Sequence, residues 1–406
     1  MIHCKKYAIT LVCLILLCSC VQKNNKYDMG TYGYDKCFFE KNGIRFLELK
    51  SIDGLARVLV APGYQGRVMT TTAAGEDGDS FGWINYKLIE SGKINPQFNP
   101  VGGEERFWLG PEGGPFSIYF KPGQKQVYEN WVVPSCIDTE GFDLVQRSES
   151  RLKFAKEILL SNASGTKFKI AVERTISLLS AKQVASALDI ELPESVKWVG
   201  YQTDNKITNK GEKTWTRDGG LLSIWLLGQF TPTPTTTVFI PYKMKAEGPI
   251  VNDDYFGKVP SDRLIVDNGM AFFKIDGACR SKIGLPSERG KGLCGSYDSQ
   301  KKVLTLLWCS TPSEPQSYVN SKWGEQTDPY DGDAINSYND GPVEDGSIMG
   351  PFYEIETSSP AAALAPGQSM QHVQRVIHLC GEESQLSAIV QKLFNIDLKT
   401  IVTKFQ

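Results

Sequence analysis

Apolar and polar positions alternate with a period of two over much of the chain from Lys36 onward. That spacing puts one face of a strand in a core and the other in solvent. Phe39, Ile44, Phe46 and Leu49 lie on short runs broken by Asn42-Gly43 and Asp53-Gly54, and Asn-Gly between alternating runs signals a hairpin. A longer hairpin is predicted from Leu152–Leu160, a turn at Asn162–Gly165 and Phe168–Leu179. In its second strand Phe168, Ile170 and Val172 alternate with Lys169, Ala171 and Glu173. Further strands are predicted at Val184–Leu192, Leu221–Phe230, Thr236–Ile240, Ala271–Ile275, Val303–Cys309 and His372–Leu379. No helical pattern separates them, so the expectation is an antiparallel sandwich or barrel and not a series of βαβ units.

The C-terminus differs. Leu386, Ile389, Val390, Leu393 and Phe394 fall at helical spacing, and Leu398, Ile401, Val402 and Phe405 continue it after Asn395-Ile396-Asp397. Ser384 or Asp397 would cap these helices, which are expected to pack outside the sheets. No linker or fixed-period repeat divides residues 30–380. The organisation expected is a signal segment 1–19, a tether 20–34, one β domain 35–380 and a helical segment 381–406.

Composition agrees with this picture. The 38 glycines and 21 prolines among 406 residues make a turn-rich chain, as an all-β protein needs. A hydrophobic share of 41% excludes global disorder. Lys and Arg number 44 against 46 Asp and Glu, so no basic surface suited to nucleic acid is expected.

The first residues read as an address. Two lysines, an apolar run over Tyr7–Leu17 and then Leu17-Cys18-Ser19-Cys20 form a secretory signal too short to span a bilayer comfortably. Its end resembles the bacterial lipobox, which implies that Cys20 is acylated and becomes the first residue. Removing residues 1–19, with two lysines and no acid, leaves 387 residues and takes the formal charge from −2 to −4. Val21-Gln22 carries no acidic retention signal. The expected location is therefore the outer membrane, facing the periplasm or the cell surface. Of the six further cysteines none forms C-x-x-C, so a zinc ribbon is not expected. Cys279 and Cys294 are the pair that an oxidising compartment could join.

Four loops combine glycine, acids and aromatics: Ser80–Tyr86, Gly102–Gly114, Asp328–Pro342 and Gly350–Ser359. Sugar rings lay C–H faces on aromatic faces and take forked hydrogen bonds to their hydroxyls. The same loops would also serve as turns, core tryptophans and satisfied ion pairs. Asp328, Asp331, Asp333, Asn336, Asn339 and Asp340 are hard oxygen ligands of a calcium type, but their spacing is not that of an EF-hand. No other cofactor is expected.

Glu356-Thr357 after Phe352-Tyr353-Glu354-Ile355, then Leu364-Ala365-Pro366-Gly367 and Gln371-His372, resembles the C-terminal signature of the aldose 1-epimerases, or galactose mutarotases. Tyr64-Gln65-Gly66-Arg67-Val68 resembles an early strand of that family. The run Gly102-Gly103-Glu104-Glu105-Arg106-Phe107-Trp108-Leu109-Gly110-Pro111-Glu112-Gly113-Gly114 and Asn336-Ser337-Tyr338-Asn339-Asp340-Gly341-Pro342 resembles an uncharacterised family of bacterial lipoproteins in the mutarotase-like superfamily. The resemblance implies an antiparallel β-supersandwich with a sugar-sized cleft. It also implies Glu356 as general base and Arg106 as sugar ligand. The family uses two mid-chain histidines, one of them the acid at the ring oxygen. Here no histidine lies between His3 and His372, so true epimerase activity is not carried over.

The expected cleft gathers Glu104, Arg106, Trp108, Asp340 and Glu356, with Asn336 and His372 at its margin. Arg106 would fork to two hydroxyls or to a uronate, Trp108 would stack on a ring, and Asp340 or Glu104 would replace the missing acid. Glu104, Glu105 and Arg106 as a structural ion pair under Trp108 is the competing reading. Three roles stay open: an enzyme acting on a sugar, a carbohydrate-binding lipoprotein without turnover, and a structural or assembly protein that keeps only the fold. The partners expected are a sugar or glycan and, through Cys20, a membrane.

Overall fold

The structure is a computed structural model that describes residues 26–343 and 345–406. The signal segment 1–19, Cys20 and residues 20–25 of the tether lie outside the described residues. The fold found is the all-β antiparallel supersandwich with short C-terminal helices expected from the sequence.

Six α-helices are described: α1 (Tyr32–Lys41), α2 (Tyr86–Ser91), α3 (Ser135–Asp138), α4 (Ala181–Leu188), α5 (Glu383–Phe394) and α6 (Leu398–Val402). The strands in chain order begin with β1 (Leu47–Lys50), β2 (Arg57–Ala61), β3 (Arg67–Thr72), β4 (Arg106–Gly110), β5 (Asp143–Arg147) and β6 (Arg151–Ser161). Next come β7 (Lys167–Leu178), β8 (Lys197–Asn209), β9 (Ser223–Phe230), β10 (Thr236–Pro241), β11 (Leu264–Asp267) and β12 (Met270–Lys274). The last are β13 (Ser281–Pro286), β14 (Leu293–Asp298), β15 (Val303–Cys309), β16 (Asp333–Asn339), β17 (Tyr353–Ser358) and β18 (Ser369–Cys380).

A ten-stranded sheet runs β11-β12-β10-β14-β15-β18-β8-β7-β6-β5, a five-stranded sheet runs β13-β16-β17-β9-β4, and β1-β2-β3 form a third. The main core packs between the two large sheets and holds Phe107, Leu226, Ile283, Ile335, Ile355, Val376 and Tyr201. The other face of the large sheet carries a second core, where Phe239, Leu304, Ile377 and Leu379 meet Val184, Leu386, Val390, Leu398 and Ile401 of α4, α5 and α6. Val376 and Ile377 are neighbours in β18 that enter different cores, as period-two alternation requires. Asp397 caps α6 through the Thr400 amide, whereas Glu382 precedes α5 with no side-chain cap. Ser384 is therefore not a cap.

Two predicted strands are helices. The run around Phe39 belongs to α1, whose Thr31 side chain accepts from the Tyr34 amide and whose Tyr32, Asp35, Phe38 and Phe39 share the buried face. Asn42-Gly43 ends this helix and does not turn a hairpin. The start of Val184–Leu192 is α4, opened by a capping box in which Ser180 and Gln183 exchange side-chain and backbone bonds. Val184 and Leu188, one helical turn apart, bury into the second core. The ordered α1 begins at Tyr32, inside the segment assigned to the tether. Cys279 and Cys294 are free thiols.

A buried polar seam crosses the main core. Arg174 of β7 pairs with Glu105 at 2.9 Å, both side chains wholly buried. The guanidinium also donates to Gly66 O at 3.0 Å and to Asn205 Oδ1 at 2.6 Å. Gln374 Nε2 donates to the other Glu105 oxygen at 2.6 Å. Replacing Arg174 by Ala leaves the Glu105 carboxylate buried without its cation, and the expected loss is about 3–5 kcal/mol of unfolding free energy in urea. A loss under about 1 kcal/mol would show that the pair does not hold the sheets.

Candidate functional site

The site lies on the five-stranded sheet, on the face turned away from the main core. Register places its residues in rows. Arg106 of β4 stands opposite Leu227 of β9, which stands opposite Glu356 of β17, then Asn336 of β16 and Gly284 of β13. Residues directly opposite share a face. A second row joins Gln229, Glu354, Tyr338 and Lys282. Arg106 and Glu356 are thus two strands apart, roughly 10 Å between backbones.

These side chains pair with one another. Arg106 Nη2 meets Glu354 Oε1 at 3.3 Å. Lys282 Nζ donates to Glu356 Oε2 at 2.9 Å, and Trp225 Nε1 donates to the same oxygen at 2.9 Å. The Arg106 guanidinium lies 3.9 Å from the Trp108 ring centre and 5.3 Å from that of Phe98, so its plane is held by aromatic faces. Trp108 itself donates to Ile137 O at 3.1 Å and packs edge-on to Trp225 and Phe98. It supports Arg106 from below and does not offer a free face to a ring.

At the β13 end Asp333 accepts from Asn252 Nδ2 at 2.8 Å and from the Tyr255 hydroxyl. Asn336 donates to Tyr255 at 3.1 Å. Gly284 is required here, because a Cβ would fall 1.8 Å from the Asp333 carboxylate. At the other end Gly102 has φ +94° and a Cβ there would meet Trp83 O at 2.1 Å, so the segment leading to Arg106 approaches its neighbour as only glycine allows.

Burial sets the proton affinities. Glu354 is pushed above the usual carboxylate range by burial and by Glu356, although Arg106 pulls it down. Glu112 is raised to about 7 by burial, with Glu356 adding and Lys282 and Arg106 opposing. Asp333 is raised to about 6 by burial against the pull of Tyr255, Asn252 and Lys282. Burial lowers the Lys282 ammonium, but Glu356, Glu112 and Glu354 outweigh it and leave it above its ordinary value. The face thus holds carboxyls whose proton affinities burial raises toward neutral pH, beside the charged Lys282.

Several buried polar atoms on this face have no hydrogen-bond partner: Arg106 Nε and Nη1, Glu356 Oε1 and Gln229 Oε1. Trp131 Nε1, beside Trp108, is another. Buried groups of this kind are costly unless something satisfies them.

Of the expected site residues, Arg106, Trp108, Asn336 and Glu356 meet on this face. Glu104 does not. Its carboxylate takes the Thr71 amide and hydroxyl, at 2.5 and 3.1 Å, and His378 Nε2 at 3.2 Å, on the inter-sheet side. His372 is also turned inward. It bonds Thr357 Oγ1 at 2.8 Å, and Thr357 points opposite to Glu356 because the two are neighbours in one strand. Burial lowers the His372 imidazole to about 4. Asp340 accepts from the hydroxyl of Tyr338, in the strand before it, at 2.9 Å and from the Gly350 amide, in the loop after it, at 2.6 Å. It is a loop anchor and not the replacement acid. Glu104, Glu105 and Arg106 do not pair with one another. Their partners are His378, Arg174 and Glu354.

Lys282, Glu354, Trp225, Gln229 and Glu112 were not among the expected site residues. Glu354 was within reach, since it lies two residues before Glu356 on a predicted strand start. Lys282 lies on β13, a strand the periodicity did not predict. Among the described residues no group of three or more His, Cys, Asp or Glu could hold a metal ion.

A model of a family of unknown function, DUF6786, matches residues 30–405. No curated protein matches the chain. Among solved structures, Slr1438 from Synechocystis sp. PCC 6803 is similar over 84% of this chain and 96% of its own, with 11% identity and a TM-score of 0.51. A galactose mutarotase-like protein from Lactobacillus casei ATCC 334 aligns over 82% and 100%, with 12% identity and a TM-score of 0.46. A galactose mutarotase related enzyme from Lactobacillus acidophilus aligns over 82% and 97%, with 10% identity and a TM-score of 0.43. At these identities the likeness to Slr1438 concerns the fold alone.

The Asp333 carboxyl has a consequence for stability. In the unfolded chain it titrates near 3.8, and in the folded chain near 6. Between those values the folded state binds more protons. Its contribution is therefore full below pH 3.8 and falls away as pH rises to about 6. Unfolding free energies measured across that window should decline less steeply in Asp333→Asn than in the parent. An unchanged slope would remove Asp333 as the titrating group.

Proposed function

Because the chain belongs to DUF6786, a family of unknown function, we propose its role from the residues of this face: it binds a neutral sugar ring on the five-stranded sheet. The observation that carries this reading is the convergence of unpartnered buried atoms, Arg106 Nε and Nη1, Glu356 Oε1 and Gln229 Oε1, on one face. Hydroxyl groups, each both donor and acceptor, satisfy such a mixed set, which a purely apolar or purely anionic ligand does not. Charge favours a neutral ring over a uronate. Lys282 is already engaged by Glu356, and a uronate beside Glu354, Glu112 and Glu356 would add one more carboxyl to a buried face already crowded with them.

The chemistry available is proton transfer. Glu356, paired with Lys282, is the acceptor, and Glu354, whose proton affinity burial and its neighbour raise, is the donor. Glu354 takes the place of the histidine acid that the chain lacks. Binding without turnover is the second reading. It is favoured by Lys282 and Trp225, whose hydrogen bonds already occupy Glu356 Oε2.

Saturation-transfer spectroscopy against neutral and uronic saccharides is the test. A neutral sugar should bind, and Arg106→Ala should weaken it at least tenfold. If the bound sugar's anomers exchange faster than in buffer, Glu356→Gln should remove at least about 100-fold of the acceleration, while Asp340→Asn should keep most of it. Binding without acceleration selects the second reading. Failure of every sugar to bind overturns both.

The same proposal places the chain at the cell envelope, held by lipid on Cys20 and located at the outer membrane on its periplasmic or surface side. The support is the signal segment and its Leu17-Cys18-Ser19-Cys20 end. Cys20→Ser should move the protein from the membrane fraction to the soluble fraction. Retention at the membrane would overturn the lipid anchor.

A further inference from the structure

We infer that the tip of the β1–β2 hairpin, Ser51–Ala56, together with Met29, is a membrane-contact surface whose occupant is the bilayer holding the acyl chains of Cys20. The inference rests on the lipid-anchor reading and extends it from a tether to a docked orientation.

Ile52 is fully exposed, Met29 is 70% exposed and Leu55 is 47% exposed. Scattered apolar residues need no explanation, but these belong to one end of the molecule. Three chain segments are tied together there. The Gly75 amide donates to Leu55 O at 2.8 Å, and the Gly33 amide donates to Glu76 O at 2.7 Å. Arg57 reaches Gly54 O at 2.8 Å and Glu76 at 3.2 Å. The Tyr27 hydroxyl donates to Glu76, and the Tyr27 ring packs where a Cβ on Gly33 would have to lie. The hairpin tip, the turn at Gly75–Asp79 and the start of the described chain are therefore one unit.

The length of the tether then decides what covers it. Tyr27 is fixed to this unit, and seven peptide units separate it from Cys20. Even fully extended they span at most about 25 Å. A lipid on Cys20 therefore keeps this end within about 25 Å of the headgroups. The exposed charges beside the tip are mixed, Lys26 and Lys50 with Asp28, Asp53 and Asp77. Attraction to anionic lipid is thus weak, and the apolar side chains supply the contact.

The test uses the full acylated chain in nanodiscs of phosphatidylethanolamine and phosphatidylglycerol, compared with full-length Cys20→Ser in solution. Hydrogen exchange at the amides of residues 51–56 should slow at least tenfold in the nanodisc. Ile52→Glu with Leu55→Glu should abolish that slowing while acylation and the thermal midpoint stay as in the parent. Peptide masses report acylation separately. An unmodified Cys20 overturns the lipid reading, whereas an acylated Cys20 with unprotected 51–56 overturns the docking alone. Equal protection in Cys20→Ser at the same concentration without lipid would mean that another copy of the chain covers the tip, and this also overturns the proposal.

Discussion

The ion pair between Glu105 and Arg174 fixes how the two large sheets face one another. Both groups are wholly out of water, and an isolated charge there would be prohibitive. Each therefore needs the other, and the remaining bonds need Gly66, Asn205 and Gln374 in place. Those partners come from the β3 approach, β8 and β18. The segment preceding β4 is in this way clamped to the ten-stranded sheet. Alternation does the rest. With Glu105 drawn inward, Arg106 emerges on the opposite face, Phe107 returns to the core and Trp108 lies beside Arg106 again. The cleft depends on that clamp for the position of its first cation.

The seam and the cleft use the same residue types to opposite ends. In the seam, Glu104 accepts from two Thr71 groups and His378, and Thr357 joins His372 to Gln374. Such a network stiffens a core once its members are paired. On the face of the five-stranded sheet Arg106 Nε and Nη1 and Glu356 Oε1 are left without partners. Stability alone would close these gaps. Glu105 Oε1 and Arg67 Nε in the seam also lack a hydrogen-bond partner, so it is the gathering of several such atoms on one face, and not their occurrence, that sets this face apart.

How much of this was legible follows from what each signal reports. The long strands β6 and β7 were visible because one face is solvated, so apolar and polar residues alternate cleanly. Strands such as β13 and β16, buried on both faces, lose the alternation and read as mixed sequence. That is why Lys282 was not seen. Alternation also misled around Phe39, where a helix presents apolar residues at spacings that overlap with period two over short runs. At α4 the capping box Ser180-Ala181-Lys182-Gln183 was present in the sequence, and it outweighed the β-like pattern that followed. Family resemblance placed Arg106 and Glu356, and register explains why they converge. It misplaced Glu104 and His372, because a motif gives order along the chain but not which face of a sheet each residue takes.

The spacing of the two cleft glutamates constrains the chemistry further. Glu354 and Glu356 are alternate residues of one strand, so they approach a ligand from the same side and within one strand repeat of each other. Carboxyls that cleave a glycosidic link flank it, separated by about 5 Å or more so that one reaches the leaving oxygen and the other the opposite side of the anomeric carbon. A pair on one side of one strand, close enough for Glu356 to raise the proton affinity of Glu354, does not flank a link in that way. It suits two oxygens carried on one carbon, the anomeric hydroxyl and the ring oxygen, where one proton leaves as another arrives. Lys282 and Trp225 both hold Glu356 Oε2, which leaves Oε1, without a partner, as the oxygen through which Glu356 can act on a neighbouring group.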